Sequence, residues 1–254
     1  MSKIDEQLLL DFANHFLGYG ALNSPLWLIG PEAGGGATID EVYQRALAWD
    51  DRGRKEIEDL QGYHAALGLP AKSDWTKKIQ PTWGSLIRVV LALKLNGKIV
   101  DTEDVLEFQK SDLGNSGGQN SVLDLSQFSS PSMSDWNLGG CGISWLETRR
   151  DYETRILRPR HDLFRKKLAL YKPKLVLFYG LGHQRWWERI AGSESQPIQF
   201  APSNLPQLSW VRNEIGLVAM MPHPNGVRLP GKGAHKKFFA DVGAALREMR
   251  DATL

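Results

Sequence analysis

The apolar positions of this chain follow two rhythms. In DEQLLLDFANHFL (5–17) they return every three or four residues, the spacing of one helix face. PTWGSLIRVVLALKL (81–95) repeats that spacing behind a proline, whose missing N–H costs nothing at a helix start, and so predicts a core-facing helix. Three shorter runs do not alternate: LWLI (26–29), LVLFY (175–179) and LVAMM (217–221). Runs of this kind predict strands buried on both faces, as in a parallel sheet. Pro25 opens the first and Gly30 closes it, Gly180 closes the second, and PHPNG follows the third.

The segments between them complete the pattern. Thr38 is a good helix cap with Asp40 and Glu41 in the first turn, and charged helical sequence continues to about residue 60. Residues 111–144 have the Gly, Ser and Asn content of surface loops, interrupted by one apolar island, Val122 to Leu125, that predicts a strand. Tyr152 to Tyr171 is a basic helix with a kink expected at Pro159. Trp186 and Trp187 fall on a helix, 193–207 is a polar loop, and a final helix runs from about Ala234 to Met249. There is no internal repeat. Helices alternating with short buried strands predict one domain over 1–254, a three-layer α/β/α sandwich around a central, mainly parallel sheet.

In such sheets the site lies where loops leave the carboxyl ends of the strands. Here those loops carry GPEAGGG (30–36), the Asp124–Pro131 segment, YGLGH (179–183) and PHPNGVRLPGKG (222–233). The glycines of GPEAGGG invite a phosphate-loop reading. They match neither G-x-G-x-x-G nor G-x-x-x-x-G-K-[ST], no lysine is present, and Glu32 would repel a phosphate.

Composition narrows the class. Hydrophobic residues make up 42% and charged residues 24%, which argues against disorder. No apolar stretch approaches the ~20 residues that span a bilayer. MSKIDEQLLLDF sets acids beside its leucines and has no small-residue cleavage site, so a signal peptide is not expected and a cytoplasmic location is. The single cysteine, Cys141, excludes an internal disulfide and an all-cysteine metal or iron–sulfur site. The histidines show no metal-ligand spacing, and neither metal nor cofactor is expected. Net charge is only +2, yet between Thr148 and Lys174 there are ten Lys/Arg against three acids. Arg228, Lys232, Lys236 and Lys237 form a second basic cluster. Two such clusters point to an anionic partner, with nucleic acid favoured and solvated helix faces as the plain alternative.

Taken together, the strand-exit motifs resemble the uracil-DNA glycosylase superfamily. Gly30-Pro31-Glu32-Ala33-Gly34 resembles the family's early turn, KPKLVLFYGLG its central strand segment, and His223-Pro224-Asn225-Gly226 its late His-Pro motif, in family order over roughly residues 25 to 245. The resemblance implies a DNA glycosylase that flips a pyrimidine out of single- or double-stranded DNA and hydrolyses its N-glycosidic bond. Glu32 then stands where the family handles the attacking water, and His223 where it contacts the departing base. Asp124 stands near the position that reads the pyrimidine edge, with Asn120 as rival; Gly30, Ala33, Gly34 and Asn225 complete the base pocket. Val227 or Leu229 would be the wedge, and Arg158, Arg160, Arg228 and Lys232 the phosphate contacts.

The chemistry agrees with these roles. Breaking the bond builds positive charge on the sugar, which a carboxylate stabilises while orienting water, and negative charge on the base, which a neutral imidazole N–H stabilises. A capping or arginine-paired Glu32 and a turn histidine are the non-catalytic alternatives. The departures concern substrate. Ala33 replaces a proline, and Gly34 stands where uracil-strict members carry a tyrosine that blocks C5 substituents. An ionised Asp124 accepts only, which suits an exocyclic amine. The expected target is therefore a C5-enlarged, cytosine-like base rather than plain uracil. Phage genomes contain such bases, so repair and antiviral defence are the two settings considered. A non-catalytic DNA-binding module of the same fold, and a conventional uracil-DNA glycosylase, are the alternatives.

Overall fold

Four parallel strands form the centre of the sheet: β2 (Leu26–Glu32), β4 (Asn120–Ser126), β5 (Leu175–Tyr179) and β8 (Gly216–Met221). They belong to a computed structural model that describes residues 4–34, 38–68, 77–128, 136–198, 208–231 and 233–251. The short β1 (Gly18–Tyr19) and β3 (Ile57–Glu58) extend one edge, and β7 (Leu208–Asn213) and β6 (Gln196–Ile198) the other. The eight strands lie in the order β3-β1-β4-β2-β5-β8-β7-β6; β1 runs antiparallel to β4, and β7 to both β8 and β6.

Both faces of the central strands are covered, which is why their sequences do not alternate. Trp27, Ile29, Val176, Phe178, Val218 and Met220 enter one core. It is closed by α1 (Glu6–His15), α2 (Ile39–Asp51), α3 (Leu60–Ala66), α6 (Arg149–Tyr152), α7 (Arg158–Tyr171) and α8 (Gln184–Ala191). Leu26, Leu28, Leu175, Leu177, Leu217 and Ala219 enter the other, under α4 (Pro81–Lys94), α5 (Thr102–Ser111) and α9 (Ala234–Asp251). The α/β/α sandwich expected from the sequence is the observed architecture.

Element boundaries differ from expectation in instructive ways. The helix capped by Thr38 forms as predicted, with a full capping box to Glu41, but ends at Asp51 instead of continuing to residue 60. Gly53 (φ +87°) and Arg54 (φ +54°) turn the chain left-handed there, a conformation that stops a helix. The basic helix starts earlier, at Arg149, and Glu153–Leu157 forms a π-helical turn before Pro159. Proline cannot donate to the carbonyl one turn back, and the wider turn absorbs that loss. Part of the expected 193–207 loop is strand β6, paired with an unpredicted β7; 199–207 and Pro131 lie outside the described residues. No helix among the described residues is long and apolar enough to cross a membrane.

The chain order of the sheet sets the site. From β2 the chain moves to β4 on one side and returns past it to β5 on the other. The carboxyl ends of β2 and β5 thus flank a topological switch point, where loops diverge and leave a crevice.

Candidate active site

Glu32, Asp124, Tyr179 and His223 meet at this end of the sheet. Gly30 pairs in register with Asp124, and Glu32 with Ser126, so the two acidic side chains come from adjacent strands. Tyr179, the last residue of β5, lies across Gly30. A β-carbon on Gly30 would stand 2.1 Å from the Tyr179 hydroxyl and 2.3 Å from Cζ, so only glycine fits under the ring. From there the Tyr179 hydroxyl donates to Asp124 Oδ1 at 3.5 Å, and the ring faces His223 with centroids 5.6 Å apart. Gly30→Ala is expected to push the ring out, lowering stability by about 1–3 kcal/mol. Chemical denaturation checks this, and an unchanged midpoint would contradict it.

The two carboxyls have opposite surroundings. Glu32 Oε1 accepts from Arg149 Nη1 at 2.6 Å, with both side chains mostly buried, and the Arg149 guanidinium also lies over the Trp136 ring at 5.2 Å. Asp124 is 7% exposed and makes no ion pair among the described residues. Burial, opposed by the charges of Arg45 and Arg160 and by the Tyr179 bond and assisted by Glu32, pushes its carboxyl up to about 7. Burial also holds the Tyr179 phenol well above its usual value.

His223 leaves β8 just before the Pro224–Gly226 turn, and its Nδ1 accepts the Asn225 N–H at 3.3 Å. That bond assigns the ring proton to Nε2. Burial lowers the pKa of His223, so the ring is a neutral donor at neutral pH. His183 stands near it, stacked on Trp186 at 4.4 Å, its pKa lowered by burial and then by Arg149 and His223.

The remaining expected contacts divide. Ala33 is buried, with its N–H bonded to Ser126 O at 2.8 Å, and among the described residues a β-carbon on Gly34 would meet nothing within 4 Å. Arg45 Nη2 donates to the Gly34 carbonyl at 2.6 Å, tying this turn to α2. Gly35 and Gly36 lie outside the described residues. Asn225 is exposed, but its side-chain amide donates to Thr82 Oγ1 at 3.0 Å. Asn120 is at the amino end of β4, away from the others, and its amide is used by Gly114 N and Asp112 O; it holds a loop.

Two expected DNA contacts are corrected. Arg160 is 1% exposed, and its guanidinium donates to the carbonyls of Leu125, Ala13, Asn14 and Asp124, so it cannot reach a phosphate. Val227 is 8% exposed in the core under α9 and is no wedge. Leu229 is partly exposed beside the same core, Arg158 and Arg228 are exposed, and Lys232 lies outside the described residues.

Sequence reasoning missed Tyr179, Arg149, His183 and Arg88. A polar ring at the exit of a buried strand was the available signal for Tyr179. Arg88 lines a groove with Ser85, Asn225, His235 and Lys236. Its Nη1 donates to Gly84 O at 2.9 Å, while its buried Nε has no hydrogen-bond partner among the described residues. Such a groove suits an anion.

Chemically, this end of the sheet offers an ion-paired carboxylate to hold water or a developing cation, a neutral imidazole N–H for a developing anion, and a carboxyl able to exchange a proton near neutrality. Among the described residues no cluster of three or more His, Cys, Asp or Glu could hold a metal ion. No protein-family model matches the chain, and no curated protein matches it.

Proposed function

We infer that the chain is a DNA glycosylase of the uracil-DNA glycosylase type, hydrolysing the bond between deoxyribose and a flipped-out pyrimidine to leave an abasic site. Its preferred base is cytosine-like and enlarged at C5. One observation carries this reading: Asp124 and His223 meet at the ring of Tyr179 at the switch point of the sheet, and Glu32 ends the strand paired with that of Asp124. In this reading Glu32 is the carboxylate that steadies the sugar cation and orients water, and His223 Nε2–H is the donor to the base oxygen. Among the described residues nothing crowds a side chain at Gly34, which supports an enlarged base. Extruding the base costs a few kcal/mol and needs a grip on flanking phosphates. Exposed Arg158 and Arg228, together with the Arg88 groove, are the groups of suitable charge.

The test is a panel of single- and double-stranded oligonucleotides carrying uracil, 5-hydroxymethylcytosine or its glucosylated form, treated with protein and then alkali. Strand cleavage at a modified cytosine is the expected result. Cleavage at uracil alone would identify a conventional uracil-DNA glycosylase. Salt-dependent binding with no cleavage of any substrate would identify a non-catalytic DNA-binding module.

A further inference from the structure

We propose that Asp124 is the general acid of this reaction, entering the chemical step protonated and passing its proton to N3 of a cytosine-type base as the C1′–N1 bond breaks. The proposal rests on the glycosylase reading above and assigns the part of the chemistry that reading leaves open. A uracil anion spreads its charge over two carbonyl oxygens, but a cytosine anion has only one. A single N–H from His223 to that oxygen is a weak answer to a poor leaving group, whereas protonation at N3 lets the base depart neutral.

Around Asp124, burial and Glu32 favour the proton and outweigh Arg45, Arg160 and the Tyr179 bond, which favour the charge. Arg160, from α7, turns its guanidinium to main-chain carbonyls, including Asp124's own, and not to the carboxyl. Arg45, from α2, donates to the Gly34 carbonyl. Glu32, from β2, adds negative charge that favours the neutral acid. Tyr179, from β5, donates to Oδ1, which leaves Oδ2 to carry the proton. Burial is the largest influence, and the resulting pKa of about 7 puts both forms within reach at neutral pH.

A neutral carboxyl also fits the base edge. It presents a donor beside an acceptor, matching N3 and the N4 amino group of cytosine. Uracil can hydrogen-bond to the same group, but its N3 already carries hydrogen and has no lone pair for the proton. Discrimination would then lie in the transfer and not in binding alone. The step balances: the C1′–N1 electron pair stays with the base, N3 takes the proton from Asp124 Oδ2, and water oxygen bonds to C1′. The proton water loses goes to Glu32 and, after the base leaves, returns to Asp124 through solvent.

The experiment is single-turnover release at saturating protein, from roughly pH 6 to 9, for wild type and Asp124→Asn. The probes are duplexes carrying 5-hydroxymethylcytosine, its glucosylated form, or uracil. Because the acid must be protonated, wild-type release of the cytosine-type base is expected to fall about tenfold per pH unit above roughly 7. Asp124→Asn is expected to lose cytosine-type release by about a hundredfold or more. It should gain uracil release with no alkaline fall, since an amide donates to O4 and accepts from N3–H. Wild-type release that stays level through that pH range would overturn the role of Asp124 while leaving a glycosylase in place, and it needs no variant to fold. Absence of release from every probe at every pH would instead overturn the glycosylase reading together with this one.

Discussion

Replacing Glu32 with glutamine is expected to slow single-turnover base release by about a thousandfold or more while DNA binding persists. The substitution keeps size and keeps an oxygen for Arg149 Nη1, which now sits 2.6 Å from Oε1, so the side chain has no reason to move. What it removes is the negative charge. The transition state places positive charge on the sugar, and without Glu32 the nearest fixed charge in this direction becomes the Arg149 guanidinium, which repels it. Loss of a stabilising charge and exposure to an opposing one act together, which is why the expected effect exceeds that of one lost hydrogen bond. Release timed by alkaline cleavage, with binding followed by fluorescence anisotropy, separates the two steps. Base release by the Glu32→Gln variant within about tenfold of wild type would remove Glu32 from the chemistry.

The same pair explains why part of the site was legible in the sequence and part was not. Glu32 ends a buried strand, His223 follows one and Asp124 lies near the end of a third, and continuous apolar runs mark such strands because both their faces are covered. Arg149 lies 117 residues from Glu32, and within the basic stretch nothing local separates it from Arg158 or Arg160. A charge count treats the three alike; the fold pairs one, exposes one and buries one.

Strand β4 shows a related limit. Only its apolar middle is legible in the sequence, yet the strand runs from Asn120 to Ser126. Its polar residues are buried because they find partners outside the strand: Asn120 bonds the nearby Asp112 and Gly114, while Ser121 Oγ donates to Ala21 O and Ser126 Oγ bonds the Tyr152 hydroxyl far along the chain. From composition alone such residues look like loop. Strand β7, next to the edge strand β6, escapes notice for the opposite reason: it is partly exposed, so it lacks the apolar continuity that marks the centre of the sheet.

Arg160 carries the second large effect, on stability. Arg160→Met is expected to destabilise the fold by about 3–5 kcal/mol, whereas Arg158→Ala leaves stability unchanged and weakens DNA binding. The Arg160 guanidinium donates to Ala13 O at 2.8 Å and Asn14 O at 3.2 Å, near the carboxyl end of α1, and to Asp124 O at 2.8 Å and Leu125 O in β4. It thus links a helix end, whose last carbonyls lack partners within the helix, to the strand that carries Asp124. Burial lowers its pKa to about 10, which still leaves it charged at neutral pH. Methionine fills much of the space but donates nothing, leaving several buried carbonyls without hydrogen bonds at about 1–3 kcal/mol each before any water enters. For a domain of this size the loss corresponds to a melting temperature lower by roughly 10 °C. If the Arg160→Met variant melted with wild type, water would be satisfying those carbonyls at no cost. The fall expected here instead makes the most buried arginine of the basic helix a fastener of the site, and leaves the proposed contact with DNA to its exposed neighbour two residues earlier.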